Sequence, residues 1–205
     1  MTYDLTPTTS AAGVAVLALQ GDFAAHVRRL HELGFAAFEA RRPEELEEAS
    51  GVVIPGGEST TLWKFFEDEP WEAAFRAFAR SGRPILGTCA GAILLAREVV
   101  ERPSQKSLAL IDIGVERNAY GRQADSFVGM VEAPRLGPPL PAVFIRAPKI
   151  RRVGPGVEVL GKVGEDPVLV RQGSIVAATF HPELTGDTRI HQMVFSGMPA
   201  QRRAI

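Results

Sequence analysis

The sequence predicts an α/β fold: a mostly parallel sheet flanked by helices, with antiparallel additions in the second half. Three observations predict it. In the first half, short apolar runs alternate with stretches of helical periodicity, the pattern of strand–helix units in a parallel sheet. In the second half, strand-like runs follow one another directly. The length of 205 residues, 45% apolar and 23% charged, suits one domain with a sizeable core.

Val14 to Leu19 is an apolar run too short for a helix and suited to a buried strand. Phe23, Val27, Leu30 and Leu33 then recur at helical spacing, with Gly34 as the stop. Ala36 to Phe38 reads as a strand. Pro43 to Glu48 reads as a short acidic helix with proline in its first turn. Gly51 to Ile54 is the next buried strand, broken sharply by Pro55-Gly56-Gly57. Pro70 to Arg80 is an amphipathic helix with Trp71, Phe75 and Phe78 on one face. Pro84 to Leu86 is a strand, Gly87 to Gly91 a tight turn, and Ala92 to Val100 the helix after it.

Beyond that point, Ser126–Val131, Ala142–Ile145, Val157–Val163, Pro167–Arg171 and Ser174–Phe180 read as strands. Gln172-Gly173 is a hairpin turn between the last two. Pro134 to Pro141 reads as a surface loop. The domain is expected over 13–196, with a flexible N-terminal tail over 1–12 and a C-terminal tail over 197–205.

A net charge of −1 and a pI near 6.4 leave no electrostatic footprint for nucleic acid or an anionic membrane. No apolar run approaches the ~20 residues that span a bilayer. Met1 to Ser10 lacks the basic and apolar segments of a secretory signal. A single cysteine, Cys89, permits no intrachain disulfide and points to a cytoplasmic location. The four histidines (His26, His31, His181 and His191) and Cys89 show no metal-site spacing, so no metal is expected. Neither a phosphate-binding loop nor a nucleotide fingerprint occurs, and no cofactor is expected.

Gly87-Thr88-Cys89-Ala90-Gly91 lies between a strand and a helix. A nucleophile on such a turn is held strained and clear of the sheet. The helix start directs free N–H groups at it, which favours thiolate. A lone cysteine is more often a small buried residue, and a redox-sensing thiol can also occupy such a turn. A thiolate nucleophile needs a base with an orienter. His181-Pro182-Glu183 follows an apolar strand, and residues two apart in an extended segment share a side. Glu183 can therefore hold one ring nitrogen of His181 and leave the other for Cys89. Alone, this tripeptide suits a loop histidine beside a surface glutamate. Its order after the cysteine turn favours the functional reading, since both groups follow strand ends where such sheets build sites. His26, His31 and His191 are expected in solvated or structural roles.

These residues resemble the triad class of glutamine amidotransferases. Further segments narrow the likeness: Leu19-Gln20-Gly21, Pro55-Gly56-Gly57-Glu58-Ser59-Thr60-Thr61, Glu116-Arg117-Asn118, Gly121-Arg122-Gln123, Asp125-Ser126-Phe127 and Phe144-Ile145-Arg146-Ala147-Pro148. Together they are similar to the glutaminase subunit of the two-component pyridoxal 5'-phosphate synthase, from about Gly13 through His191.

The resemblance implies a single-domain class I glutamine amidotransferase-like, flavodoxin-like fold. It also implies Cys89 as nucleophile, His181 as proton carrier and Glu183 as orienter. Oxyanion donors would be the N–H of Ala90 and one from the Gly56-Gly57 loop. Gly57, Glu58, Ser59, Arg117, Ile145 and Arg146 match substrate positions. Either arginine suits the carboxylate of L-glutamine. Gln20 matches a region near the oxyanion site and the partner interface. The implied partner is a barrel-shaped synthase subunit that consumes the ammonia.

Overall fold

A computed structural model of the chain describes residues 13–100, 105–117, 119 and 126–198. In chain order the elements are β1 (Val14–Leu17), α1 (Phe23–Glu32), β2 (Ala37–Ala40), β3 (Gly51–Ile54), α2 (Ser59–Asp68) and α3 (Trp71–Arg80). There follow β4 (Ile85–Thr88), α4 (Ala90–Leu95), β5 (Ala96–Val100), β6 (Ile111–Glu116), β7 (Phe127–Val131) and β8 (Leu140–Phe144). The chain continues through β9 (Lys149–Val153), β10 (Glu158–Val163), β11 (Asp166–Gln172), β12 (Ile175–Ala178) and α5 (Arg189–Phe195). The expected tail over 1–12 and all of 197–205 except Gly197 and Met198 lie outside the described residues.

The main sheet has seven strands in the order β10-β11-β12-β4-β3-β1-β2. Strands β2, β1, β3, β4 and β12 are mutually parallel, while β11 and β10 add on antiparallel. The parallel part has the doubly wound order of flavodoxin-like sheets, so its loops and site residues gather at one edge. A three-stranded sheet β5-β6-β9 and a β7–β8 ribbon complete the structure.

Because side chains alternate along a strand, each apolar run feeds two cores. Ala15, Leu17, Val52, Ile54, Ile85 and Ala177 face α2, α3 and α4. Val14, Val16, Val53, Leu86, Val176 and Ala178 face Leu30 of α1 and Ile190 and Phe195 of α5. The first face is filled by stacked aromatics, with Phe75 centred 5.4 Å from Phe66 and 5.9 Å from Trp71.

Several elements differ from the sequence reading. The helix expected over Ala92–Val100 ends at Leu95, where Ala96 turns extended (φ −59°, ψ 146°), and Ala96–Val100 pairs with β6. The β-branched Val99-Val100 pair suits that strand. The Pro43 helix is a single 3-10 turn. The loop expected over Pro134–Pro141 contains a 3-10 turn and the buried start of β8 at Leu140. Helix α2 and strands β6 and β9 were not anticipated.

Phe75 is fully buried within the aromatic stack. Phe75→Ala should cost about 3–5 kcal/mol through lost burial and a residual cavity, read as a lower urea midpoint at constant m-value.

Candidate active site

Cys89 stands between β4 and α4 with φ 48° and ψ −103°. For a residue with a Cβ this conformation costs about 1–3 kcal/mol and persists only where its surroundings enforce it. Its N–H donates to the Ala178 carbonyl at 2.8 Å, and its carbonyl accepts from the Ile93 N–H at 3.2 Å. Gly91 lets α4 press on β3: a Cβ there would sit 2.0 Å from the Ile54 carbonyl oxygen. The parallel strands end together, so Gln20 after β1, Gly57 after β3, Cys89 after β4 and His181 after β12 meet at one edge. They line a cavity of about 290 Å3 together with Glu58, Ser59, Ile93, Arg117, Ile145 and Arg146.

His181 is anchored through its backbone N–H, which donates to the Val143 carbonyl at 2.9 Å. Its ring packs against the β3 loop, where a Cβ on Gly56 would come within 2.3 Å of the ring carbon Cε1. Nδ1 meets Glu183 Oε1 at 2.7 Å. The segment is not extended as the sequence suggested: Pro182–Leu184 forms a 3-10 turn, which still brings Glu183 to the Nδ1 edge of the ring. Burial alone would lower the His181 pKa. Its hydrogen bonds with Cys89 and then Glu183 outweigh that and raise it to about 10. The Cys89 thiol also donates to the Ile145 carbonyl at 3.8 Å.

Glu183 is only 2% exposed. Burial pushes its pKa up, but the adjacent His26 and the hydrogen bond from His181 hold it below the ordinary carboxylate value. His26 is the site neighbour the sequence reading missed. It is fully buried, with Nε2 3.3 Å from Glu183 Oε2 and 3.2 Å from Thr88 Oγ1. The contact to Oε2 has ion-pair distance without ideal hydrogen-bond alignment, so that oxygen has no well-aligned donor among the described residues. Nδ1 of His26 meets Nε2 of the buried His191 at 2.9 Å. Burial lowers both histidine pKa values, that of His191 to about 3. A signal was present in the sequence: His26 lies three residues after Phe23 and four before Leu30, on the inward face of α1. His31 is exposed, as expected.

The opposite wall is polar. Glu58 caps α2, accepting from Thr61 N at 2.7 Å and Thr61 Oγ1 at 2.8 Å, and from the Thr60 hydroxyl. Partial burial opposes ionisation, yet these hydrogen bonds bring its pKa down to about 2. Arg117 reaches Glu58 at 3.1 Å and Gln105 at 2.7 Å, and Ser59 also donates to Gln105 at 2.9 Å. Gln20 Oε1 accepts the Glu58 N–H at 2.8 Å. Ile145 is 40% exposed at the rim, and Arg146 beside it has φ 43°. Ala90 opens α4, so its N–H has no intrahelical acceptor. Gln105 and Ile93 were not foreseen. Asn118, the 121–123 segment and Asp125 lie outside the described residues. Among the described residues, no cluster of three or more His, Cys, Asp or Glu side chains is arranged to hold a metal ion. No helix among them is long and apolar enough to cross a membrane.

Residues 16–198 match the model of the SNO glutamine amidotransferase family. The chain is 53% identical over 180 residues to pyridoxal 5'-phosphate synthase subunit PdxT of Koribacter versatilis, covering 88% of this chain and 92% of that protein. It is 51% identical to the PdxT subunit of Thermus thermophilus, covering 87% and 94%. A crystal structure of a glutamine amidotransferase superposes with a TM-score of 0.85 at 47% identity, covering 90% of this chain and 98% of that one.

The His181 pKa rests on two neighbours, which can be separated. In Cys89→Ala the contribution of the sulfur disappears, so the imidazole should titrate well below the parent's value of about 10. Ring carbon shifts of His181 followed by NMR against pH would read this. An unmoved titration would show that the two groups do not share a proton.

Proposed function

The chain belongs to the SNO glutamine amidotransferase family, and on that premise we propose that it hydrolyses L-glutamine through a Cys89–His181–Glu183 triad for a pyridoxal 5'-phosphate synthase. It is a glutamine amidotransferase with glutaminase activity, a hydrolase of a linear amide. The observation that carries the finer reading is the pairing of two features in one cavity. A cysteine sits on a strained strand–helix turn, and the histidine beside it is tied through its far nitrogen to a buried carboxylate.

The Cys89 sulfur, as thiolate, attacks the side-chain carbonyl carbon of glutamine. The carbonyl oxygen gains negative charge and accepts hydrogen bonds donated by the N–H of Ala90 and the N–H of Gly57, each worth about 3 kcal/mol in comparable sites. The tetrahedral species collapses as His181 gives its proton to the departing nitrogen, which leaves as ammonia. The glutamyl thioester on Cys89 is then cleaved by water, from which His181 takes a proton. Glutamate leaves and the thiolate returns. Glu183 keeps the imidazole oriented and balances its charge in both halves. The raised His181 pKa suits this role, because an imidazolium beside the sulfur is the proton source the first half needs.

Recognition of the amino acid head follows from the opposite wall. Glu58, held ionised, suits the α-ammonium group, and Arg117, steadied by Gln105, suits the α-carboxylate. Ser59, Ile145 and Arg146 complete the enclosure. Ammonia released into bulk water would be protonated, so its consumer should dock over the cavity. We assign that role to a barrel-shaped synthase subunit, in the cytoplasm, where the single cysteine stays reduced. Rotation of the Gly56-Gly57 peptide would let docking switch the oxyanion site on.

Two measurements test this. Glutamate release from glutamine should rise when the synthase subunit is added and vanish in Cys89→Ala. No hydrolysis with the synthase demonstrably bound would sink the triad reading, and equal rates without it would sink the docking switch. Arg117→Ala should raise KM roughly tenfold or more with a smaller change in kcat, the sign of lost ground-state binding.

A further inference from the structure

Glu183 has two oxygens, and a triad uses one. The other, Oε2, points away from the cavity toward α1, where His26 Nε2 stands 3.3 Å away. A buried carboxylate oxygen without a donor is costly, and a carboxylate free to turn would offer His181 a moving acceptor. The proton inventory of the two buried histidines selects one arrangement. If His26 carried its proton on Nδ1, its Nε2 lone pair would face Oε2. The His191 Nε2 it meets at 2.9 Å would then be the acceptor, forcing the proton of His191 onto Nδ1. That Nδ1 is buried with no partner among the described residues, so an N–H there would be stranded. With the proton of His26 on Nε2, neither of these two conflicts arises. His191 Nε2–H donates to His26 Nδ1, His26 Nε2–H bonds Thr88 Oγ1 at 3.2 Å with Glu183 Oε2 beside it at 3.3 Å, and His191 Nδ1 is left as a lone pair rather than a stranded N–H.

We propose that His26 is a positioning residue for glutamine hydrolysis, presenting Nε2–H to Glu183 Oε2 and braced from behind by His191, so that Oε1 stays on His181. The inference rests on the triad reading given under Proposed function. It links three parts of the fold: α1 supplies His26, α5 supplies His191, and Thr88 immediately precedes Cys89. The low pKa values that burial gives both histidines agree with it, since the relay needs one ring proton on each.

The test uses the full chain with its synthase partner. Ring 15N shifts in the parent protein should show His26 and His191 both protonated on Nε2 alone. A His26 protonated on Nδ1 would overturn the proposal, and this readout needs no variant that might fail to fold. Glutamine brings an amide N–H2 close to the position of Nε2, whereas leucine brings none. His26→Leu should therefore lower kcat by about tenfold or more with KM within about threefold, and His26→Gln should restore kcat to within about threefold of the parent, as for other outer partners that orient a working group. The Nδ1 proton of His181, bonded to Glu183, should persist in the spectrum of His26→Gln and be lost in that of His26→Leu. A parental kcat in His26→Leu, or equal losses in the two variants, would overturn the proposal. Cys89→Ala run alongside separates the causes. Turnover that survives there removes the triad reading itself, while turnover lost there and kept in His26→Leu removes only the role of His26.

Discussion

The structure depends on a backbone conformation that its own residue disfavours. Cys89 at φ 48° and ψ −103° carries strain of about 1–3 kcal/mol, and nothing local relieves it. The surrounding packing enforces it. On one side the Cys89 N–H continues the parallel ladder onto Ala178, so the turn cannot unwind without breaking β4 from β12. On the other, α4 starts at once and lies so close to β3 that only glycine fits at position 91. A central strand flanked by parallel neighbours is the stiffest place in such a sheet, and the turn is mounted there. The edge that holds the sulfur is also the edge where β1, β3 and β12 end. Gln20, the Gly56-Gly57 loop and His181 are therefore delivered to it by topology, and the hydrogen bond from the Glu58 N–H to Gln20 then ties the first two together.

Burial of Glu183 sets the second constraint. An ionised carboxylate away from water is tolerated only with donors on its oxygens, since the effective desolvation penalty is several kcal/mol. His181 satisfies one oxygen at 2.7 Å, and His26 approaches the other at 3.3 Å. This joins the site to the packing beneath it. His26 reaches the carboxylate from α1 and His191 stands behind it from α5, two helices that cover the same face of the sheet with Leu30, Ile190 and Phe195. The hydrophobic contacts that dock these helices thereby fix the electrostatics around His181. Arg29, also on α1, donates to the Glu183 carbonyl at 3.2 Å and pins the backbone of the same turn.

What the sequence disclosed followed how local each signal was. The buried strands β1, β3 and β4 were legible because short apolar runs beside glycine and proline breaks have few other readings. The cysteine turn and the His181–Glu183 pair were legible as short motifs. Helix α2 was not, although Leu62, Trp63 and Phe66 recur at helical spacing, because the glycine-rich break before it reads as loop and its cap is a glutamate rather than a common capping residue. The boundary between α4 and β5 was lost for a different reason. Ala-Ile-Leu-Leu-Ala-Arg-Glu-Val-Val continues a helical pattern, and only pairing with β6, more than ten residues onward, draws Ala96 into a strand. The buried histidine pair was the least legible, since its members are 165 residues apart and each alone resembles an ordinary helix residue.

The two walls of the cavity have different origins, and this divides their tasks. The wall holding Cys89 and His181 comes from the ends of the parallel strands and inherits their rigidity. Much of the other wall comes from segments appended to that core: Arg117 just after β6, Ile145 and Arg146 just after β8. The cysteine, the imidazole and the candidate oxyanion donors must be held to a fraction of an ångström, because misplacement is penalised in the barrier itself. Groups that select a substrate tolerate more movement, and charged side chains reach their targets over a range of backbone positions. A parallel core with replaceable additions can therefore keep one reaction centre while the additions change which molecule is admitted. The Glu58–Arg117 pair lies where these two parts meet: Glu58 caps a helix that begins beside the rigid β3 loop, and Arg117 reaches it from the appended sheet. At 3.1 Å, that ion pair joins the proposed recognition wall to the proposed reaction wall.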